Sequence, residues 1–273
     1  MAPPPADDGE TAPTLTVQPV DGLTEIARED WDRLANPPDL EFDPFLSWDF
    51  LQALEASGCV GEGTGWMPRH LIARDRAGQL VGAVPLYVKS HSMGEYVFDH
   101  AWADAYERAG GQYYPKLLTA VPFSPVTGRR ILADSAELRR ALALAACDIT
   151  TRWGASGWHV NFPDAAGLAE LHEIGLLPRA DRQYIWSNRN YGSYDDFLAD
   201  LASRKRKALR KERAAARDGI EIEHLTGDQL RPEHWDVFYA CYQETGSPNW
   251  GPPYLTRALF DLPHRRPADR VLL

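Results

Sequence analysis

From Pro85 to Gly128 the chain reads PLYVKSHSMGEYVFDHAWADAYERAGGQYYPKLLTAVPFSPVTG, and no single helix or strand can contain it. Lys89, His91, Glu95, Asp99, His100, Asp104, Glu107, Arg108 and Lys116 are interleaved with aromatic residues, while Gly94, Gly110, Gly111, Pro115, Pro122 and Pro125 force repeated changes of direction. That is the composition of a lined cleft. LVGAVPLYVK has strand character, GEYVFD reads as a short second strand and AWADAYERA as two turns of helix; Gly110-Gly111 stops the helix and KLLTAVPF reads as another strand.

This order places the polar groups of Lys89 to Glu95 at a strand end or turn, and those of Asp99 to Asp104 near a helix start. Exposed N–H groups and the helix dipole favour acids there, so Asp99 reads equally as a helix cap or as a substrate contact. His91 reads first as a hydrogen-bonded turn residue. His91/Glu95 and His100/Asp104 are each spaced by four, but no closing motif such as HExxH accompanies them, and no metal is expected.

The flanking sequence frames this segment in a mixed α/β pattern. Thr14 to Val20 alternates as a strand, Arg28 to Ala35 is a short helix before Asn36-Pro37-Pro38, and Ser47 can cap WDFLQALEAS. Trp66 to Ala73 and Gln79 to Lys89 are two strands joined by a short Gly-containing connection. Beyond the cleft segment come a long helix, Ser135 to Trp153, then GWHVNF as a strand, AAGLAELHEIG as a helix and RQYIWSNR as a last strand. Antiparallel strands early and helices between later strands imply a mixed, mostly antiparallel sheet with helices on both faces.

A second unit begins near Tyr191. Asp195 to Leu201 and Ser203 to Arg217 read as helices, Ile220 to Leu225 as a strand, Pro232 to Thr245 and Leu255 to Leu262 as helices, and Arg270 to Leu273 as the start of a strand. Seven of the chain's 29 Lys and Arg and one of its 39 Asp and Glu lie between Arg204 and Arg213, which leaves −16 for the rest. Lys205, Arg206, Arg210 and Lys211 are therefore candidates for phosphate binding; the other reading is a solvated helix drawn to an acidic body. A last strand without a successor leaves an uncovered edge, so residues 191–273 read as the opening of a longer domain and the chain as a truncated form. Residues 1–13, MAPPPADDGETAP, read as a disordered leader rather than a signal peptide. Three distant cysteines without a CxxC pair and the lack of a membrane-length apolar run point to a cytoplasmic protein, and a net charge of −10 argues against general nucleic-acid binding.

FLSWDFLQALEASG, TGWMPRHL, the central block, PFSPVTGRR and SRKRKALRKERAAARDGIEI together resemble bacterial peptidoglycan biosynthesis or recognition proteins of the GNAT superfamily, relatives of the FemAB aminoacyl ligases. The resemblance covers about residues 40–273. It implies tandem GNAT-like domains, one over about 14–190 and an incomplete second over 191–273. It also implies transfer of an acyl group from acyl-CoA or aminoacyl-tRNA to an amine of a cell-wall precursor or related metabolite. The Lys205 to Gly219 stretch is similar to the FemAB pattern of a basic helix, a glycine and a strand, which adds to the reading of Arg206, Arg210 and Lys211 as phosphate ligands. A GNAT pyrophosphate loop, Q/R-x-x-G-x-G/A, is absent: Arg108-Ala109-Gly110-Gly111 copies half of it at the wrong end of a helix.

Amine attack on a carbonyl needs a base and oxyanion donors. Glu95, Asp99, Asp104 and His91 are the base candidates, and Lys89, Tyr106, Tyr114 and Lys116 the substrate-binding ones. The alternative is a non-catalytic GNAT-like module that recognises a phosphorylated glycan or RNA; Ser90-His91-Ser92 lacks the nucleophile elbow that a hydrolase would need.

Overall fold

The computed structural model describes residues 15–246, 253–260 and 271–273. The expected leader, Arg270 and the last two residues of the Leu255 to Leu262 helix lie outside them.

The first unit is built on strands β1 (Thr16–Val20), β2 (Trp66–Pro68), β3 (His70–Arg74), β4 (Leu80–Val84), β5 (Tyr87–Lys89), β6 (Lys116–Thr119), β7 (Leu132–Ala133) and β8 (Trp158–Val160). Its helices are α1 (Arg28–Ala35), α2 (Trp48–Ala56), α3 (His100–Arg108), α4 (Ala136–Arg152) and α5 (Ala165–Glu173). Ser47 caps α2 by accepting from Phe50 N at 3.3 Å, and Ser135 caps α4 by accepting from Leu138 N at 3.2 Å.

The class is the expected one, mixed and mostly antiparallel α/β, but the strands divide into two four-stranded sheets, β1-β3-β4-β7 and β2-β5-β6-β8. The sequence suggests two long strands over 66–73 and 79–89; each is broken at its middle, so that one hairpin feeds both sheets. Pro85 has no N–H for a ladder, and Arg69 N to Leu86 O, 2.8 Å, holds the two strands together where they change sheet. Among the strands named, β6 and β8 are the pair that runs parallel, with α4 between them in sequence.

Alternation of side chains gives the first sheet two apolar faces. Ile72, Ala83 and Leu132 pack with Trp31, Leu34 and Leu51 of α1 and α2, while Leu71, Ala73, Val84 and Ala133 pack with Leu142, Ala146 and Leu171 of α4 and α5. Gly82 lies on the second face, where a Cβ would come within 2.6 Å of Leu142 Cδ1. Gly82→Val should therefore force α4 outward and cost about 1–3 kcal/mol, seen as a lower urea midpoint; an unchanged midpoint would show that the helix is not held this close.

The remaining helices are α6 (Tyr194–Ala199), α7 (Ser203–Arg217), α8 (Pro232–Gly246) and α9 (Arg257–Phe260). Residues 253–260 lie against the first unit: Leu255 and Leu259 pack on Leu54, Val60 and Trp66, and Thr256 Oγ1 donates to Ser57 O at 2.9 Å. Three expected strands do not form. GEYVFD is irregular, because Gly94 (φ 79°) and Tyr96 (φ 56°) both take left-handed backbone. Among the described residues RQYIWSNR has no ladder partner, with Ile185 80% exposed, and Ile220 to Leu225 is paired only at Leu225, which exchanges two 3.0 Å bonds with Leu273 beside the Thr226–Leu272 bridge. β-propensity expresses itself only where a neighbouring strand is available.

Candidate functional site

The ladder puts Trp66, Lys89 and Lys116 opposite one another on β2, β5 and β6, so all three project from one face of the second sheet. Tyr87, Leu118 and His159 form the next row on that face. Two lysines directly across a ladder repel, and both are fully buried. The loop of residues 90–99 folds back over them and supplies the compensating charge.

Lys116 is saturated. Its ammonium donates to Ser92 Oγ at 2.8 Å, Glu95 Oε2 at 2.9 Å and Asp99 Oδ2 at 2.6 Å, which uses all three protons. Asp99 Oδ2 also accepts from Tyr113 Oη at 2.8 Å, and Ser92 Oγ lies 2.8 Å from Tyr114 Oη. Lys89 is held more loosely: 3.4 Å from Met93 O, 4.0 Å from Glu95 Oε1 and 3.7 Å above the Trp66 ring. Glu95 Oε1 and Asp99 Oδ1 are buried without a hydrogen-bond partner. A charged network that is satisfied on one side only is a place to look for function.

Burial acts on each charge differently. It lowers Lys89 to about 7, helped by the Lys116 ammonium and opposed by Glu95 and Asp99. Burial raises Glu95 above its ordinary value against the pull of both lysines. Asp99 is also pushed up by burial, but hydrogen bonds from Lys116, Ser92 and Tyr113 outweigh it and leave the carboxyl at about 2. Tyr113 is raised by burial and by its bond to Asp99, and burial beside the Lys116 charge lowers His159 to about 4.

Thus Lys89, Glu95, Asp99 and Lys116, dispersed over 28 residues of sequence, meet in one buried cluster, with Tyr114 bound at its edge through Ser92. Asp99 occupies the cap position of α3, yet its side chain makes no capping bond; it serves Lys116 and Tyr113 instead. His91 is a turn residue, its Nδ1 accepting from Met93 N at 3.2 Å. Asp104 and Tyr106 lie on the exposed side of α3, with the Tyr106 ring edge-on to Tyr113 at 6.0 Å. Ser92, Tyr113 and Trp66 belong to the cluster, and no sequence signal marked them apart from their proximity to Lys89 and Lys116 in the strands. Among the described residues no group of three or more His, Cys, Asp or Glu side chains is placed to hold a metal ion.

The four basic candidates lie elsewhere, on α7, which has no buried residue. Arg210 pairs with Asp195 at 3.1 Å and Arg206 donates to Leu201 O at 3.2 Å, while Lys205 and Lys211 are exposed.

A cleft of about 490 Å³ opens away from the lysine cluster, lined by Arg129, Arg130, Arg139, Asp134, Asp164 and Glu170 among others. It does not fit a nucleotide pyrophosphate. Arg129 and Arg130 donate to main-chain carbonyls, Arg139 is paired with Glu170 at 2.6 Å, and the N-terminus of α5 already holds the Asp164 carboxylate, which accepts from Gly167 N at 2.7 Å. Arg108-Ala109-Gly110-Gly111 follows the C-terminal end of α3, where carbonyls, not N–H groups, face outward.

No curated protein matches this chain significantly. Among solved structures it is similar to the aminoglycoside antibiotic 6'-N-acetyltransferase of Acinetobacter baumannii, at 12% identity and a TM-score of 0.34 over 66% of this chain and 100% of that one. The model of the FemAB-like family, described as peptidoglycan biosynthesis/recognition, matches residues 22–273. That span takes in both sheets, the buried lysine pair and the basic helix, and the chain belongs to the FemAB-like family.

Proposed function

We propose that this protein transfers an acyl or aminoacyl group to an amine of a cell-wall precursor or related metabolite, and that the lysine and carboxylate cluster handles the proton of that transfer. The observation that carries the reading is Glu95: buried between two lysines, with Oε2 fixed by Lys116 and Oε1 4.0 Å from Lys89 without a hydrogen-bond partner. Lys116, Ser92 and Asp99 fix the carboxylate in place, and Tyr113 and Tyr114 brace them. Family membership supports a role in the cell wall. The donor is an acyl thioester or an aminoacyl ester, and any phosphates it carries are taken by Lys205, Arg206, Arg210 and Lys211 on α7, which has no buried residue and holds its charges at the surface, where the Arg210–Asp195 pair is exposed and readily exchanged. His91, Asp104 and Tyr106, outside the buried cluster, contribute to the approach of the acceptor.

Glu95→Gln keeps the shape of the side chain and removes its charge. Turnover of an amine acceptor should fall by about 100-fold or more in protein whose urea transition shows it folded under the assay conditions, and full turnover in this variant would remove Glu95 from the mechanism. If the wild-type protein shows no turnover yet binds a phosphorylated glycan or RNA through α7, non-catalytic recognition replaces this reading.

A further inference from the structure

Lys89 and Lys116 are ladder partners, but their surroundings are unequal. All three N–H groups of Lys116 are committed to acceptors at 2.6–2.9 Å. Lys89 has one long bond to Met93 O, an aromatic face and a carboxylate oxygen at 4.0 Å that no other group satisfies. We propose that Lys89 is the proton acceptor of this site, and that Glu95 Oε1 orients its amine and shares the proton it takes up.

The assignment rests on the transferase reading for its reaction. The acceptor amine attacks the donor carbonyl carbon and a C–N bond forms. The nitrogen, now positively charged, gives its extra proton to the neutral Lys89 Nζ. The C–S or C–O bond of the donor then breaks, and the leaving thiolate or alkoxide recovers a proton from the Lys89 ammonium. Nothing is oxidised or reduced, and Lys89 ends as it began.

Geometry favours Lys89 over its neighbours. The charged and titratable groups around it are Glu95 and Asp99 from the covering loop, Lys116 from β6 and His91 at the loop's start; β2 offers only the uncharged Trp66. Asp99 is committed to Lys116 and Tyr113, and Lys116 is saturated. The turn at Met93-Gly94 covers Nζ: Met93 O receives both the Lys89 ammonium and Trp66 Nε1, at 3.0 Å, while the Met93 side chain is half exposed. With Lys89 fully buried, an acceptor reaches the amine only when that turn moves aside. Burial supplies the tuning, lowering Lys89 to about 7, near the value at which a base works best in neutral solution.

The test joins a pH–rate profile to a direct titration of Lys89 by NMR of the full chain carrying ¹³C-lysine, with Lys89→Met identifying the resonance. The expected kcat/KM of the wild type falls as pH drops through about 7. Lys89→Met should lose about 100-fold or more in kcat, and Lys89→Arg should fail as well, since a guanidinium stays protonated; a purely structural cation would be rescued by arginine. The Lys89 resonance should titrate with the same midpoint, moving to lower pH in Glu95→Gln. Active Lys89→Arg, or a Lys89 that remains charged to pH 9, overturns the assignment. If no thioester or aminoacyl ester supports turnover, the transferase reading fails separately, and the titration decides alone: a midpoint near neutrality that Glu95→Gln displaces upholds Lys89 as the proton-exchanging group, and its absence discards it.

Discussion

Lys116→Met is expected to cost about 3–5 kcal/mol, a large part of the roughly 5–15 kcal/mol that holds a domain together. The methionine would fill the stem's volume, so the loss comes from charge. Glu95 and Asp99 are both buried, and each gives one oxygen to Lys116, at 2.9 and 2.6 Å. Their other oxygens have no hydrogen-bond partner, so removing the ammonium would leave two carboxylates in a low-dielectric setting with Lys89, 4.0 Å from Glu95, as the remaining cation. Ser92 and Tyr113 would lose the centre they are oriented around, and the 90–99 loop its main attachment to the sheet. Urea unfolding of the two proteins at pH 7 measures the difference; a loss below about 1 kcal/mol, the range of an exposed ion pair, would mean that water reaches the cluster and that it is not the closed site described above.

The opposite lysine should behave in the opposite way. Lys89 is lowered from 10.5 to about 7 in the folded protein, so between those values the unfolded chain binds a proton that the folded one does not. Stability from this group therefore increases as pH rises from about 7 to 10.5 and is lost again on the way down; below 7 the term is flat. The difference in unfolding free energy between wild type and Lys89→Met should move in favour of wild type by on the order of 3 kcal/mol across this window. Comparing the two proteins cancels the titration of Tyr113 and the other groups they share. Equal differences at pH 7 and pH 10 would place the Lys89 ammonium in solvent-like surroundings.

The sequence shows much of the frame because local signals there agree with the packing. Ser47 and Ser135 are cap residues followed by apolar helices, and both cap. α4 and α5 appear where their Ala- and Leu-rich patterns put them, and the family is legible in the central block and the basic helix. RQYIWSNR and Ile220 to Leu225 show where local pattern alone does not decide: both carry strand composition, yet a strand is stabilised by the ladder beside it, and among the described residues that ladder is missing except at Leu225. The two-sheet arrangement was hidden for a related reason. Pro85 is a local sign that the second long strand breaks, but it does not say that the two halves join different sheets through a single bond at Arg69.

By itself the sequence determined the mixed α/β class, the family and the segment in which the charged groups would lie, because composition, periodicity and caps act over a few residues. It also named Lys89, Glu95, Asp99 and Lys116, without saying which of them meet. Only the tertiary structure decided that. Residues 27 apart in the chain become neighbours when β5 and β6 pair in one register, and a slip of one residue would turn Lys116 to the other face. The same pairing sets their inequality: Lys116 falls where three oxygens converge, Lys89 where one long bond and an aromatic ring must suffice. Charge on a side chain is written in the sequence, but its energy depends on burial and partners, which the fold alone supplies.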